Sequence, residues 1–347
     1  MTTDTMRVMW AERPNELEVR RVPMIQIEED EVLIKVAYAG ICPWDVRAFS
    51  GLSSSVAFPR ILGHEMAGVV MEVGKNVKVI KPGQRVVPDM GIKCGVCKAC
   101  RSGRENRCQN PVFRQYGGGF ADYVRVPERN VHIIKNKETK LQAAAFVEPL
   151  ACVVRGQDIL HLYPGEFELI AGIGPIGLMH LQVAKAFGCQ VIVSDPVPER
   201  LVKAKELGAD WVVNPNETDV AQFVKDITGG WGADAAVVTV GSARLVEQVV
   251  PMLAPGGRLN IFAGVYPKDA LQIDPNLIHY GEFVITGSAD SAPQNFNKAL
   301  DLVENRMVNT ETLISHLLDL EELGKGFEIV KNRQGLKVML EVDSNLK

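Results

Sequence analysis

The chain has 347 residues, 46% of them hydrophobic and 23% charged, with a formal net charge of −4. That length suits two domains, and that balance suits a soluble globular protein. There is no basic stripe for nucleic acid, no apolar run of about 18 residues for a membrane span, and no signal-peptide core in the opening MTTDTMRVMWAERPNELEVR.

The first 150 residues read as short strands split by turns. EVLIKVAYAG, AGVVMEVG, QRVVPD and ADYVRVP are apolar or alternating and rich in β-branched residues, with breakers such as KPGQ between them. The texture changes near Val147. From Glu166 onward the strands FELIAGI, QVIVSD, WVVNP, AAVVTV, RLNIFAG and FVITGSA alternate with helical stretches such as PIGLMHLQVAKAFG, PERLVKAKELG and TDVAQFVKDITG. Apolar strands separated by helices predict a parallel sheet covered on both faces, and six of them make a doubly wound dinucleotide fold. The tail carries helices around QNFNKALDLVENRM and EELGKGFEIV and a strand, LKVMLEV. These are expected to return to the first domain. The division is then 1–150 with 288–347 for one domain and 151–287 for the other.

Cys94, Cys97, Cys100 and Cys108 spell C-x₂-C-x₂-C-x₇-C in a Gly- and Lys-rich stretch. Thiolates at these spacings can wrap one tetrahedral Zn²⁺ and leave no open position, which makes the site structural. A redox-active CxxC would follow a βαβ pattern, absent here. The other three cysteines, Cys42, Cys152 and Cys189, are scattered. Clustered thiols of this kind fit a reducing cytoplasm better than a disulfide scaffold.

Strand FELIAGI runs into Gly172, Ile173, Gly174, Pro175, Ile176 and Gly177, and then a helix. The first glycine allows a tight turn, the second lets a pyrophosphate approach the backbone, and the third lets helix and strand pack closely. The helix start offers free N–H groups to phosphate, and Pro175 suits the first helical position. The next strand ends in Asp195, placed to accept hydrogen bonds from ribose hydroxyls and to repel a 2′-phosphate, which favours NAD over NADP. Arg200 is placed to cover the adenine or to soften that repulsion. Val240 and Gly264, at later strand ends, are candidates to lie against the nicotinamide half.

Three separated pieces offer catalytic metal ligands: Cys42 in GICPWD, His64 and Glu65 in GHE, and Glu148 in VEPL. Together with the cysteine cluster and the nucleotide motif they resemble the zinc-dependent medium-chain alcohol dehydrogenase family. The segment Gly63-His64-Glu65-x₂-Gly68-x₅-Gly74-x₂-Val77 is similar to its zinc signature, and Glu148 in place of a cysteine is similar to its polyol (sorbitol-type) and sugar branch. The resemblance implies a GroES-like, partly barrel-like all-β catalytic domain beside an α/β Rossmann domain. It implies two zinc ions per chain and NAD, with Cys42, His64, Glu65 and Glu148 as the catalytic ligand set and Asp45 orienting the metal-bound imidazole. It also implies a homodimer or homotetramer. The activity implied is oxidation of a secondary alcohol of a polyol or sugar to the ketone by hydride transfer. The alternatives are an L-threonine or simple-alcohol dehydrogenase, or an NAD-binding protein that has lost catalysis.

One part of the pattern departs from the family. Where it has a Ser or Thr two residues after the ligand cysteine, and a His three further on, this chain has Trp44 and Arg47. Neither side chain accepts a proton. Trp44 is expected to line the substrate pocket and Arg47 to meet solvent or an anionic substrate group. His132, His161, His180, His279 and His316 lack partner spacing and read as structural.

Overall fold

Strand Glu31–Gly40 is apolar on both faces, and nearly every residue in it is buried. It is the centre of the first unit because both of its edges are fully used. Strand Glu65–Val73 runs antiparallel along one edge. The other edge is shared: Tyr123–Pro127 pairs with Glu31 to Lys35, and the C-terminal strand Lys337–Glu341 pairs with Tyr38 to Gly40. Arg85–Pro88 and Val131–Ile133 extend this sheet on one side and Ile314–Asp319 on the other. A second, three-stranded sheet is built from Thr5–Arg13, Glu16–Pro23 and Arg60–Ile61. Val32, Ile34, Val36, Ile41, Met66, Phe120, Phe327 and Leu340 share one core, so residues from both ends of the chain pack together.

This computed structural model describes residues 4–53, 56–112 and 117–346. The chain separates into two compact units, Met1–Ala151 with Ser291–Lys347, and Cys152–Asp290. Among the described residues no helix is long and apolar enough to cross a membrane.

The second unit is a six-stranded sheet. Numbered within the unit, its strands are β1 (Phe167–Ala171), β2 (Gln190–Ser194), β3 (Trp211–Val213), β4 (Ala233–Val238), β5 (Leu253–Ile261) and β6 (Val284–Gly287). They lie in the order β3-β2-β1-β4-β5-β6, all parallel. This is the doubly wound dinucleotide order, with its switch point between β1 and β4. The inner strands β1, β2 and β4 are short, apolar and almost wholly buried, and Leu169, Ile192, Ala236, Val238 and Leu259 sit in one core. Glu168 breaks that pattern. It is 0% exposed in the central strand, where Gln157 Nε2 donates to Glu168 Oε1 at 2.8 Å and lies 2.9 Å from His180 Nδ1. His180 is itself fully buried.

The six strands and the helices between them stand where sequence pattern places them. The hairpin of Thr5–Arg13 and Glu16–Pro23, the 14-residue helix Val147–Leu160 and the strand Ile314–Asp319 are additions that the pattern does not announce.

Candidate functional site

Cys42 ends the loop after the central strand and is the N-cap of helix Pro43–Phe49. Pro43 opens the helix with φ already set, and Asp45 closes a capping box from the third position. Asp45 Oδ2 accepts from Cys42 N at 3.1 Å, while Trp44 N donates to Cys42 Sγ at 3.4 Å. The other oxygen of the same carboxylate reaches the second loop. Asp45 Oδ1 accepts from Gly63 N at 3.2 Å and lies 3.3 Å from His64 Nδ1. Asp45 is 0% exposed, so one buried carboxylate ties two loops that lie 18 residues apart. Gly63 sits at φ +97°, and a Cβ there would come within 2.8 Å of Phe120 N, so only glycine suits the turn into His64.

The donor atoms of Cys42, His64 and Glu65 all lie within 4.8 Å of one another. A thiolate, an imidazole and a carboxylate at that spacing suit a catalytic zinc with an open position. With Asp45 at Nδ1, the imidazole has its other nitrogen available, the arrangement common for a metal-bound histidine. Burial and Glu65 push the Cys42 thiol up despite His64. Burial pulls His64 down, but Asp45 and Cys42 outweigh it and the net shift is well upward. Glu148 lies in the first turn of helix Val147–Leu160 and does not join that group of three. Its charge acts on Lys337, which forms a buried ion pair with Glu65. Lys337 is a residue that sequence reasoning misses: one lysine at the start of an apolar strand looks like an ordinary strand end. Trp44 meets His64 edge-on with ring centroids 5.6 Å apart and is half-buried against the core. Arg47 lies in the last turn of the same helix.

Cys94, Cys97, Cys100 and Cys108 also converge, and none forms a disulfide. Cys97 Sγ is 3.5 Å and Cys94 Sγ 4.0 Å from Cys100 Sγ. A tetrahedron with Zn–S bonds of roughly 2.3 Å has edges of about 3.8 Å, so the set fits zinc. Backbone N–H groups point at the sulfurs: Cys94 N at Cys108, Cys97 N at Cys94, Gln109 N at Cys97. The N–H groups of Cys100 and Gln109 pull Cys97 down to about 6, whereas burial pushes Cys100 up to about 12.

In the second unit the glycines divide by task. Gly172 has φ +95°, and a Cβ there would meet Thr239 Oγ1 at 2.7 Å. A Cβ on Gly177 would strike the carbonyl oxygen of Gly172, so this glycine lets the helix sit on the turn. A Cβ on Gly174 would meet nothing within 4 Å. The space over Gly174 is open, and Gly174 N-caps helix Pro175–Ala186 with no side chain on its free N–H groups. A pyrophosphate fits that cradle. Asp195, the residue just past β2, accepts from Ile173 N at 2.7 Å and from Val197 N at 2.9 Å, and Arg200 Nη1 lies 3.7 Å from it. Val240 follows β4 and is 41% exposed. Gly264 follows β5, and a Cβ on Gly241 would strike its carbonyl.

Comparison with known proteins agrees with both halves of this description. Residues 28–136 match the model of an alcohol dehydrogenase GroES-like domain, and residues 175–305 match that of a zinc-binding dehydrogenase. The chain is 34% identical over 319 residues to the D-arabitol-phosphate dehydrogenase of Enterococcus avium, covering 90% of each chain. It is 34% identical over 329 residues to the L-threonine 3-dehydrogenase of Bacillus subtilis, covering 92% of this chain and 93% of that one. Among solved structures it is similar to a zinc-binding dehydrogenase from Sinorhizobium meliloti 1021 bound to NADP. That match has a TM-score of 0.91 and 30% identity, covering 98% of this chain and 100% of the other.

Proposed function

We infer that this chain, which belongs to the zinc-type medium-chain alcohol dehydrogenase family, oxidises a secondary alcohol of a polyol or sugar to the ketone with NAD. The observation that carries the reading is the convergence of Cys42, His64 and Glu65 on one point, with Asp45 bracing both loops. Members of this family are oxidoreductases acting on CH–OH donors. When bound, zinc supplies Lewis acidity toward the alcohol oxygen and the nicotinamide supplies the hydride acceptor.

The chain's own residues then have separable tasks. Cys42, His64 and a carboxylate hold the metal, and Asp45 fixes the imidazole. Cys94, Cys97, Cys100 and Cys108 hold the structural zinc. Gly172, Gly174, Pro175, Ile176 and Gly177 cradle the pyrophosphate. Asp195 takes the ribose and disfavours a 2′-phosphate, with Arg200 beside it. Trp44 presents a flat apolar face, suited to the C–H face of a sugar or polyol, next to His64. Because neither Trp44 nor Arg47 accepts a proton, the substrate hydroxyl proton passes to Glu65 or Glu148. Glu148→Ala is then expected to lower turnover and to alter its pH profile, and an unchanged profile would remove Glu148 from that role.

A relative named for a phosphorylated polyol supports the polyol class, and one named for L-threonine at equal identity supports an amino-alcohol. Steady-state rates with polyols, sugar acids, L-threonine and simple alcohols, each with NAD and with NADP, decide between them. Turnover of polyols or sugars with NAD is expected. Turnover confined to L-threonine would overturn the substrate class, and a preference for NADP would overturn the role given to Asp195.

A further inference from the structure

We propose that Lys337 is a positioning residue of the catalytic metal site: its ammonium holds Glu65 beside Cys42 and His64 and competes with the metal for that carboxylate. The proposal rests on reading Cys42, His64 and Glu65 as metal ligands.

Among the described residues Lys337 is the one buried lysine, 7% exposed, and Glu65 is 1% exposed. Two charges in such a place need each other, because an unpaired buried ion is strongly unfavourable. The sheet is built to let them meet. Gly40 on the central strand faces Glu65 on one side and Met339 on the other. Continuing the antiparallel register two residues from Met339 brings Lys337 level with Cys42. A Cβ on Gly40 would run into the Glu65 carboxylate and come within 2.9 Å of Lys337 Cε, so the missing side chain is the space in which the ion pair forms. The charges of Cys42 and Glu148 also act on Lys337.

Glu65 therefore faces two cations in turn. Without metal, Lys337 is its counter-charge. With a divalent ion between Cys42 and His64, the ion is a second and stronger claimant, and binding it means that Glu65 gives up its bond to the ammonium. Lys337 thus stabilises the metal-free site and weakens the hold on the metal. It touches no reacting atom in this scheme and acts through Glu65.

The test follows zinc release from the full chain into a chromophoric chelator, with the fraction abolished in Cys42→Ser assigned to the catalytic site. In Lys337→Met that fraction should leave more slowly, on the order of tenfold, and Lys337→Arg should restore the parent rate. The absorption bands of the cobalt-substituted Lys337→Met protein should shift as Glu65 binds the metal without competition. In a Glu65→Gln background, adding Lys337→Met should no longer change the release rate. The neutral pair, Glu65→Gln with Lys337→Met, provides this comparison even if Lys337→Met alone folds poorly. Release that is unchanged or faster in Lys337→Met overturns the proposal. If no fraction of the zinc depends on Cys42, the reading of the metal site itself fails, which is a different result.

Discussion

Asp45 shows how much one side chain can decide. Its carboxylate is the common acceptor for the Cys42 and Gly63 amides and lies against the His64 ring. Asp45→Asn keeps the shape but removes the charge and puts a donor where only acceptors fit. Zinc retention at the Cys42–His64 site should fall by about tenfold to a hundredfold, read by chelator competition. The buried pair Glu168 and His180 makes a second prediction. Burial pushes Glu168 up to about 8 and His180 down to about 3, from ordinary values of 4.5 and 6.5. Between pH 4.5 and 8 the folded chain keeps a proton on Glu168 that the unfolded chain releases, so stability falls as pH rises. Between pH 3 and 6.5 the unfolded chain takes a proton on His180 that the folded chain refuses, so stability rises with pH. The slopes oppose from pH 4.5 to 6.5, and Glu168 acts alone from 6.5 to 8. Glu168→Gln should gain on the parent by about 2 kcal/mol across that last window in urea denaturation, and parallel curves would refute it. Cys42 and His64 were legible because motif spacing marks them. Glu168 and Lys337 were not, because a charge inside an apolar run carries no local sign that it is buried and paired.

At the scale of the element, the turn between β1 and helix Pro175–Ala186 separates folding from binding. Gly177 packs against the Gly172 carbonyl, whereas Gly174 faces open space. Gly177→Ala should lower both the melting temperature and NADH affinity, because backbone must move to admit the methyl group. Gly174→Ala should leave the melting temperature unchanged and weaken NADH binding alone, as measured by fluorescence titration. Equal losses in both variants would contradict this division. Spacing marked this turn and the four-cysteine lobe directly, since each is a local solution to a local problem. The hairpin at Thr5–Pro23 was hidden for the opposite reason. Its second strand, Glu16–Pro23, is charged and largely exposed, so it lacks the apolar alternation that marks a half-buried strand. Helix Val147–Leu160 was hidden because its apolar start continues the run AAAF and no polar N-cap announces it.

Across the whole molecule, what sequence pattern leaves open is which strand edge meets which. The first unit closes only when Lys337–Glu341 returns to the central strand from the far end of the chain. Its apolar run showed a strand, but no local feature names its neighbour. The second unit poses the same question at β6, which pairs with β5 on one side and, among the described residues, with nothing on the other. Val284 in that strand is 50% exposed, and Leu277 and Tyr280 of the helix before it are 37% and 79% exposed. An open parallel edge beside exposed apolar side chains is an association site unless charge or a bulge guards it. A two-fold axis beside β6 would set it antiparallel to its own copy and join two six-stranded sheets into one. The expected state is therefore a homodimer, or a tetramer built from it. Val284→Lys places a charge on each side of that seam, and should convert the assembly to monomers in sedimentation velocity while leaving far-ultraviolet circular dichroism unchanged. A parent chain that sediments as a monomer at micromolar concentration would refute association through this edge. A Val284→Lys protein that stays dimeric would place the seam elsewhere.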